Sequence, residues 1–287
     1  MHANDFDYHR AGSVEEAIDL LGEHADAELL AGAHGLLPRM KTDEEAPGTL
    51  VDISRIDRLS AIEHDDGTLS VGALATHTDV ADSEVVGRHA PALADATSAV
   101  GDLQVRAGGT IGGNLAHGDP RVDPAAAVLA LDATVVVHGP DGRRSIPVTD
   151  LFEGEFETSV GDREVVTRLE VPTDDGLTSA YHKRRNPLSG YAAVGVAAAV
   201  RTDDGTVTDA RVAATAVASY PRRLEAVEAE LEGAVADESA AAAAAKRASE
   251  SIPDDEVRSD PYASAEFRSH LLSTDTETLL SAVLADE

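Results

Sequence analysis

The sequence predicts an α+β fold, in which a two-part α/β domain precedes a three-stranded antiparallel sheet with a helical bundle. Three patterns support this prediction. The first part alternates a helix signal with short apolar strands, and the second contains two hairpin signals around a run of glycines. The third part has three long strand patterns followed only by helices. We predict that these three parts comprise residues 1–55, 56–172 and 173–287.

One helix and two strands are predicted in the first part. Ser13-Val-Glu-Glu16 has the form of a capping box, and the apolar residues after it are spaced for one face of a helix over residues 14–23. Short apolar runs at residues 28–31 and 49–53 predict strands. The first of these strands leads into a loop that contains glycine.

The second part is predicted to combine two hairpins with helices. Asp-Gly pairs at Asp66-Gly67 and Asp141-Gly142 lie between apolar runs, which is typical of tight hairpin turns. The predicted strands are residues 59–64, 69–73, 134–138, 143–147 and 164–171. The predicted helices are residues 80–86, 91–100 and 124–131.

The third part changes pattern after residue 176. Long apolar or alternating runs predict strands at residues 179–184, 191–201 and 211–218. Helical spacing predicts helices at residues 222–233, 237–251 and 262–285. A sheet with helices on one face follows from this order of elements.

Composition excludes several classes of function. The chain has 287 residues with 53 acidic and 23 basic side chains, which gives a formal net charge of −30. Such a charge repels nucleic acid and anionic membranes, and its even spread along the chain favours a halophilic source. Because there is no Cys, the chain itself cannot hold a disulfide or an iron–sulfur cluster. No leader or membrane-length apolar segment is recognised, so we expect a cytoplasmic protein without membrane insertion.

A glycine-rich stretch between Arg106 and Asp123 indicates a buried ligand loop. Glycines follow one another closely at positions 108, 109, 112, 113 and 118. Glycine leaves no Cβ between the backbone and a ligand, so consecutive amides can converge on an anion. A second such loop, residues 31–38, follows the first predicted strand, and the two loops together could hold one extended, phosphate-bearing cofactor.

Other nucleotide and catalytic signatures are missing. No glycine run reads G-x-G-x-x-G after a strand, and Gly-Lys, which a P-loop requires, does not occur. There is no G-x-S-x-G nucleophile motif, no thiol and no pair of His residues four apart. A flavin requires none of these, because its ring carries the electrons and the protein supplies binding and orientation.

Both loops resemble the flavin-binding loops of the FAD subunit in molybdenum hydroxylases, the family of carbon monoxide and xanthine dehydrogenases. The similarity rests on Ala31-Gly-Ala-His-Gly-Leu-Leu-Pro38 and Thr110-Ile-Gly-Gly-Asn-Leu-Ala-His117, and it extends over nearly the whole chain. The resemblance implies a PCMH-like FAD-binding domain, FAD as the cofactor and the family's C-terminal domain.

The resemblance also implies which residues contact FAD. By analogy with the family, the loop amides neutralise the phosphates, the Thr110 hydroxyl and Asn114 amide bind polar cofactor atoms, and Leu36 and Leu37 pack against the ring. The expected cofactor-binding residues in the two loops are Gly32, Ala33, His34, Gly35, Leu36, Leu37, Thr110, Ile111, Gly112, Gly113 and Asn114.

Three further residues match family positions near the flavin. Asp123 matches the acidic residue at the end of the second motif, although it can equally cap the following helix. Lys183 and Tyr191 match a lysine and a tyrosine near the cofactor, with a core position as the alternative for Tyr191. Ala33 and Gly35 depart from the family, which has Gly and Ser there. An Ala that needs a positive φ would cost about 1 kcal/mol.

The function implied by the resemblance is electron transfer within a complex. Substrate is oxidised at molybdenum in a molybdopterin large subunit, electrons cross [2Fe–2S] clusters in an iron–sulfur small subunit, and FAD in this chain passes them to an external acceptor. The alternatives are a stand-alone FAD-dependent oxidase or dehydrogenase, and a scaffold with a degenerate flavin site.

Overall fold

The computed structural model describes residues 3–285, and its first region is a small parallel sheet with two helices. The strands pair in the order β1-β3-β2, with both neighbouring pairs parallel. The elements are β1 (Asp7–Arg10), α1 (Val14–Glu23), β2 (Ala27–Leu30), α2 (Leu36–Lys41) and β3 (Thr49–Asp52).

Helix α1 has the predicted bounds and half of the predicted capping box, since the Glu16 carboxylate accepts from the Gly12 amide instead of the Ser13 amide. The Ser13 side chain accepts a hydrogen bond from the Glu16 amide, which satisfies one free N–H of the first turn. The apolar residues Val14, Ala17, Ile18 and Leu21 form its buried face. Burial of this face packs α1 against the small sheet, from whose strand β2 the first glycine loop emerges.

The central region is built on a five-stranded antiparallel sheet in the order β4-β5-β10-β6-β7. The strands here are β4 (Ile62–Asp65), β5 (Thr68–Gly72), β6 (Thr134–Gly139), β7 (Gly142–Pro147), β8 (Phe152–Gly154), β9 (Glu157–Thr158) and β10 (Val165–Pro172). The helices are α3 (His77–Ala81), α4 (Glu84–His89), α5 (Pro91–Ser98), α6 (Leu103–Gly108), α7 (Ile111–His117) and α8 (Asp123–Ala130).

The C-terminal region begins with the three long strands that the sequence predicts. They are β11 (Leu177–Arg185), β12 (Ala192–Asp203) and β13 (Thr206–Thr215), and a two-residue strand, β14 (Arg222–Arg223), extends the sheet at its edge. The helices are α9 (Glu225–Leu231), α10 (Glu238–Ala245) and α11 (Ala265–Val283).

Strand β12 joins two hydrophobic cores. Its alternate residues Val194, Val196 and Val200 pack in the C-terminal core, while Ala197 and Ala199 pack in the central one. Because both faces are covered, the strand reads as a continuous apolar run in the sequence. Helix α8 is buried along its whole length and packs against β12 and β13.

The structure differs from the sequence prediction in the glycine-rich segments. The predicted loops at residues 31–38 and 106–123 instead contain the start of α2, the end of α6 and all of α7, and strands β1, β8, β9 and β14 were not predicted. Glycine has a low helix propensity, so local sequence argues against α7, and packing against the rest of the central region overrides it. Among the described residues, no helix is both long enough and apolar enough to cross a membrane.

Candidate functional site

A cavity of about 1180 Å³ lies where the two glycine segments meet. Pockets for drug-sized ligands occupy about 300–1,000 Å³, so this cavity suits a dinucleotide-sized ligand. Its walls come from the loop after β2, the start of α3, helices α6 and α7, the segment from residue 153 to 166, and the loop before β12.

Most of the residues expected to bind a cofactor line this cavity. They are Gly32, Ala33, His34, Gly35, Leu36, Thr110, Gly112, Gly113, Asn114, Asp123 and Tyr191. Leu37, Ile111 and Lys183 are not among the lining residues. Ile111 is fully buried in the central core, and Lys183 reaches the site through Asp123.

The first glycine loop presents free backbone donors to the cavity. The amides of residues 32–36 have no hydrogen-bond partner among the described residues, while the Leu37 amide already donates to the Ala33 carbonyl. Ala33 has a φ of 62°, in the left-handed region that favours glycine. The loop therefore presents unpaired amides in a turn with one left-handed residue, an arrangement that suits an anion.

In the second glycine segment, unlike the first loop, the backbone amides already have partners within the protein. The amides of Ile111 and Gly112 donate to the carbonyls of Ala75 and Ala73, and the Gly113 amide donates to the Thr110 hydroxyl. Because these amides already donate within the protein, the amides that are free to bind an anion are those of the first loop. The second segment instead lines the cavity with the backbone of Gly113 and the side chain of Asn114, whose Oδ1 is buried without a partner among the described residues.

Glycine is required where the two segments touch. A Cβ on Gly32 would lie 2.1 Å from the Gly108 carbonyl oxygen, and one on Gly35 would lie 2.9 Å from the His117 ring. A Cβ on Gly112 would lie 2.5 Å from that of Ala73. The short distances show that the two segments pack closely against each other and against Ala73, which directly follows β5.

Asp123 is held in a buried network at the cavity wall. Its Oδ1 accepts a hydrogen bond from the Tyr181 hydroxyl at 2.6 Å, and its Oδ2 accepts one from Lys183 Nζ at 2.8 Å. Lys183 also donates to the Ala99 carbonyl. Burial raises the pKa of Asp123, and its two donors oppose that rise. Asp123 thus ties β11 to the start of α8.

Tyr191 lies at the opening of the cavity and is 39% exposed. The Arg121 guanidinium carbon lies 4.4 Å from the centre of its ring, and the guanidinium donates two hydrogen bonds of 2.8 Å to the Asp119 carboxylate. Burial raises the pKa of the Tyr191 phenol, and Asp119 adds to the effect. The tyrosine is therefore a neutral, partly exposed aromatic group at the opening.

Several lining residues were not predicted as site residues from the sequence, among them Glu28, His77, His117 and Phe156. His117 ends the quoted motif and could have been found there. His77 begins α3 after β5, and a lone His at a strand end is more often structural. Phe156, with a φ of 60° and a ring 5.1 Å from that of His117, carries no sequence signal.

The two parts of the chain match known family models. The FAD binding domain in molybdopterin dehydrogenase matches residues 4–174, and the CO dehydrogenase flavoprotein C-terminal domain matches residues 179–283. The fold and the cavity together thus define a flavin-binding subunit.

Individual relatives agree with this class. The chain is 39% identical over 245 residues to the carbon monoxide dehydrogenase medium chain of Hydrogenophaga pseudoflava, which covers 85% of each chain. It is 31% identical over 283 residues to the xanthine dehydrogenase FAD-binding subunit of Escherichia coli O157:H7, covering 97% of this chain and 96% of the relative.

A solved structure of carbon monoxide dehydrogenase from Hydrogenophaga pseudoflava, lacking the Mo-pyranopterin moiety of its molybdenum cofactor, has the same fold. It superposes with a TM-score of 0.94 at 38% identity and covers 99% of both chains. The chain belongs to the FAD-binding medium subunits of the molybdenum hydroxylase family. It is an FAD-binding oxidoreductase subunit that acts within a complex.

The residues present fit FAD. The free amides of residues 32–36 suit a diphosphate, and the unpartnered Oδ1 of Asn114 is a polar atom that a ligand could satisfy. Ala33 already has the backbone conformation that the family's glycine allows, so its replacement does not close the loop.

Proposed function

We propose that this chain passes electrons from the [2Fe–2S] clusters of a small subunit, through FAD, to an external acceptor. A large molybdopterin subunit of the same complex would oxidise the substrate. The observation that carries this proposal is an FAD cavity in a chain that has no Cys. Because a [2Fe–2S] cluster needs thiolate ligands, a cluster that reduces this FAD must lie in another chain.

FAD supplies the electron-carrying ring, and the chain's own residues bind and orient it. The amides of residues 32–36 would bind the diphosphate. The Thr110 hydroxyl and the Asn114 side chain would hydrogen-bond polar atoms of the cofactor, and Leu36 would pack against apolar parts of it.

A second group of residues would act at the ring. Asp123 lines the cavity with both oxygens engaged by Tyr181 and Lys183, so it would position the ring through a rigid network. Lys183 would act through Asp123 and place positive charge close to the reduced, anionic flavin. Tyr191, at the opening, would cover the ring and limit the access of water.

Co-expression with the neighbouring reading frames tests this function. We expect a stable complex with a Cys-rich small subunit and a large molybdopterin subunit, in which the substrate of the complex bleaches the flavin absorbance under anaerobic conditions. The isolated chain should be reduced by dithionite and by no substrate of the complex. Rapid bleaching of the isolated chain by that substrate would instead indicate a stand-alone oxidase or dehydrogenase.

A further inference from the structure

His77 is a buried histidine whose side chain lines the cavity. The residue is only 2% exposed, and its buried Nδ1 has no hydrogen-bond partner among the described residues. A buried polar group left unpaired costs about 1–3 kcal/mol, so such groups usually bind something that is not part of the chain itself.

The backbone fixes His77 beneath the second glycine segment. Its amide donates to the Gly109 carbonyl at 2.9 Å. A Cβ on Gly109 would lie 3.2 Å from His77 Nε2 and 3.0 Å from its Cδ2. A glycine at position 109 therefore allows the imidazole to lie this close to the link between α6 and α7.

Besides burial, two groups that are or can become cationic lower the pKa of His77. They are His34, in the loop after β2, and Arg106, on α6, and no carboxylate contributes. Arg106 donates to the Val100 carbonyl at 2.8 Å and forms no ion pair within the described part of the chain. Because a Cβ on Gly108 would lie 2.6 Å from His34 Nε2, the His34 ring lies against the same glycine link.

Acidic groups gather elsewhere along the cavity wall. Glu28 lines it, and burial together with the charges of Glu45 and Asp162 raises the Glu28 pKa. Both of these acidic neighbours are lining residues too. A ligand that carries two phosphates is repelled from these carboxylates and is favoured on the side of the cavity where the free amides, His34 and His77 lie.

We propose that His77, together with His34 of the first glycine loop, binds the diphosphate of FAD and takes up a proton when it does so. The inference rests on the FAD site described above. It assigns His77 to cofactor binding, and it accounts for a buried histidine with an unpartnered ring nitrogen in the wall of the cavity.

Proton uptake follows from the environment of the imidazole. Burial, followed by the charges of His34 and Arg106, lowers the pKa of His77 to about 4, so the ring is neutral near pH 7 before the ligand binds. A diphosphate beside it favours the charged form and raises that pKa. The affinity for FAD should therefore increase as pH falls through the raised pKa, and should level off near pH 4.

Calorimetric titration of the cofactor-free chain tests the proposal. FAD, ADP and riboflavin are titrated at pH 6 and pH 7.5, in buffers of different ionisation enthalpy, so that proton uptake is measured directly. His77→Leu, which has no ring nitrogens, should weaken FAD and ADP at least about tenfold and lose the proton uptake that His77 contributes. Riboflavin, which has no phosphate, should bind as it does to the wild type.

Two further variants give the comparison its controls. His77→Gln restores a hydrogen-bond donor and should recover part of the affinity without the proton uptake. His89→Gln changes a histidine on α4 that stacks on His64 and does not line the cavity, and it should behave as the wild type does.

Three results would overturn the proposal. They are unchanged FAD affinity and proton uptake in His77→Leu, equal weakening of riboflavin and FAD, and wild-type binding without proton uptake. If His77→Leu does not fold, an NMR titration of wild-type histidines with and without ADP decides, since ADP must raise the His77 pKa. A wild-type chain that binds no FAD would contradict the FAD site itself, which is a separate failure.

Discussion

At the scale of single residues, Ala33 adopts a backbone conformation that favours glycine, and the fold accommodates it. Its φ of 62° is a conformation that costs a non-glycine residue about 1 kcal/mol. The cost is small compared with the free energy available from binding a dinucleotide, so this conformation weakens the loop without removing the site.

Replacing Ala33 by Gly should relieve this strain. We expect Ala33→Gly to raise the free energy of unfolding by up to ~1 kcal/mol, because the gain in native conformation exceeds the added freedom of the unfolded chain. Chemical denaturation measures the change. Ala94→Gly, in helix α5, is the matched control and should lose about 1 kcal/mol. Equal losses in both variants would contradict the strain at position 33.

His77 should make stability depend on pH even without a ligand. Its pKa is lowered from 6.5 to about 4 in the folded chain, mainly by burial. Between these values the unfolded chain binds the extra proton, so stability is complete above about pH 6.5 and falls as the pH drops towards 4. His77→Leu should reduce this slope in denaturation curves at pH 7.5, 6 and 5. An unchanged slope would show that the ring is accessible to water.

At the scale of elements, β11 is held from both faces by buried carboxylates. Lys183 and Tyr181 bind Asp123 on one face, and His182 and Arg184 bind Asp275 of α11 on the other. The alternation of side chains along a strand directs these pairs to opposite sides. Strand β11 therefore couples the cavity wall to the C-terminal helix.

Removing the Lys183 cation from its buried pair with Asp123 should lower the free energy of unfolding. Lys183→Met leaves Asp123 buried without its partner charge, and we expect a loss of about 3 kcal/mol in unfolding free energy at pH 8. The loss should shrink as the pH falls, because the buried carboxyl group can then take up a proton. Lys246→Met, which changes an exposed lysine, is the control. Equal effects of the two variants would contradict a structural role for the pair.

Helix α7 depends on close packing at Gly112. A methyl group there would lie 2.5 Å from the Ala73 Cβ and 2.8 Å from its carbonyl oxygen, so Gly112→Ala should cost about 1–3 kcal/mol of stability. Gly87→Ala, in α4, adds a methyl group to open space and should be neutral or stabilising by up to ~1 kcal/mol. Thermal denaturation compares the two variants, and a stable Gly112→Ala would contradict the packing.

Sequence patterns predicted those elements whose signals are local. The cap at Ser13 and the turn at Asp66-Gly67, where both residues have positive φ, act within a few residues and were recognised. Helix α7 was predicted as a loop, since its glycines disfavour a helix locally and its stability comes from contacts with distant Ala73 and Ala75. For the same reason, local sequence did not indicate His77 and Phe156 as site residues, since they reach the cavity only when the chain folds.

At the scale of the whole molecule, the charge of −30 should make stability depend on salt. Repulsion between like charges is screened over about 10 Å at 0.1 M salt and over about 3 Å at 1 M. We therefore expect the melting temperature to rise between about 0.1 M and several molar KCl, and FAD to dissociate more readily in dilute buffer. An unchanged melting temperature over that range would contradict a halophilic adaptation.

The most direct test of the central claim is titration of the cofactor-free chain with FAD, followed by the loss of flavin fluorescence. The account predicts saturation at one FAD per chain for the wild type. It also predicts no saturable binding for Gly113→Val, whose side chain would occupy the cavity wall 2.9 Å from the Thr110 hydroxyl. A wild type that does not bind FAD, or a Gly113→Val variant that binds equally well, would contradict the assignment of this cavity as the flavin site.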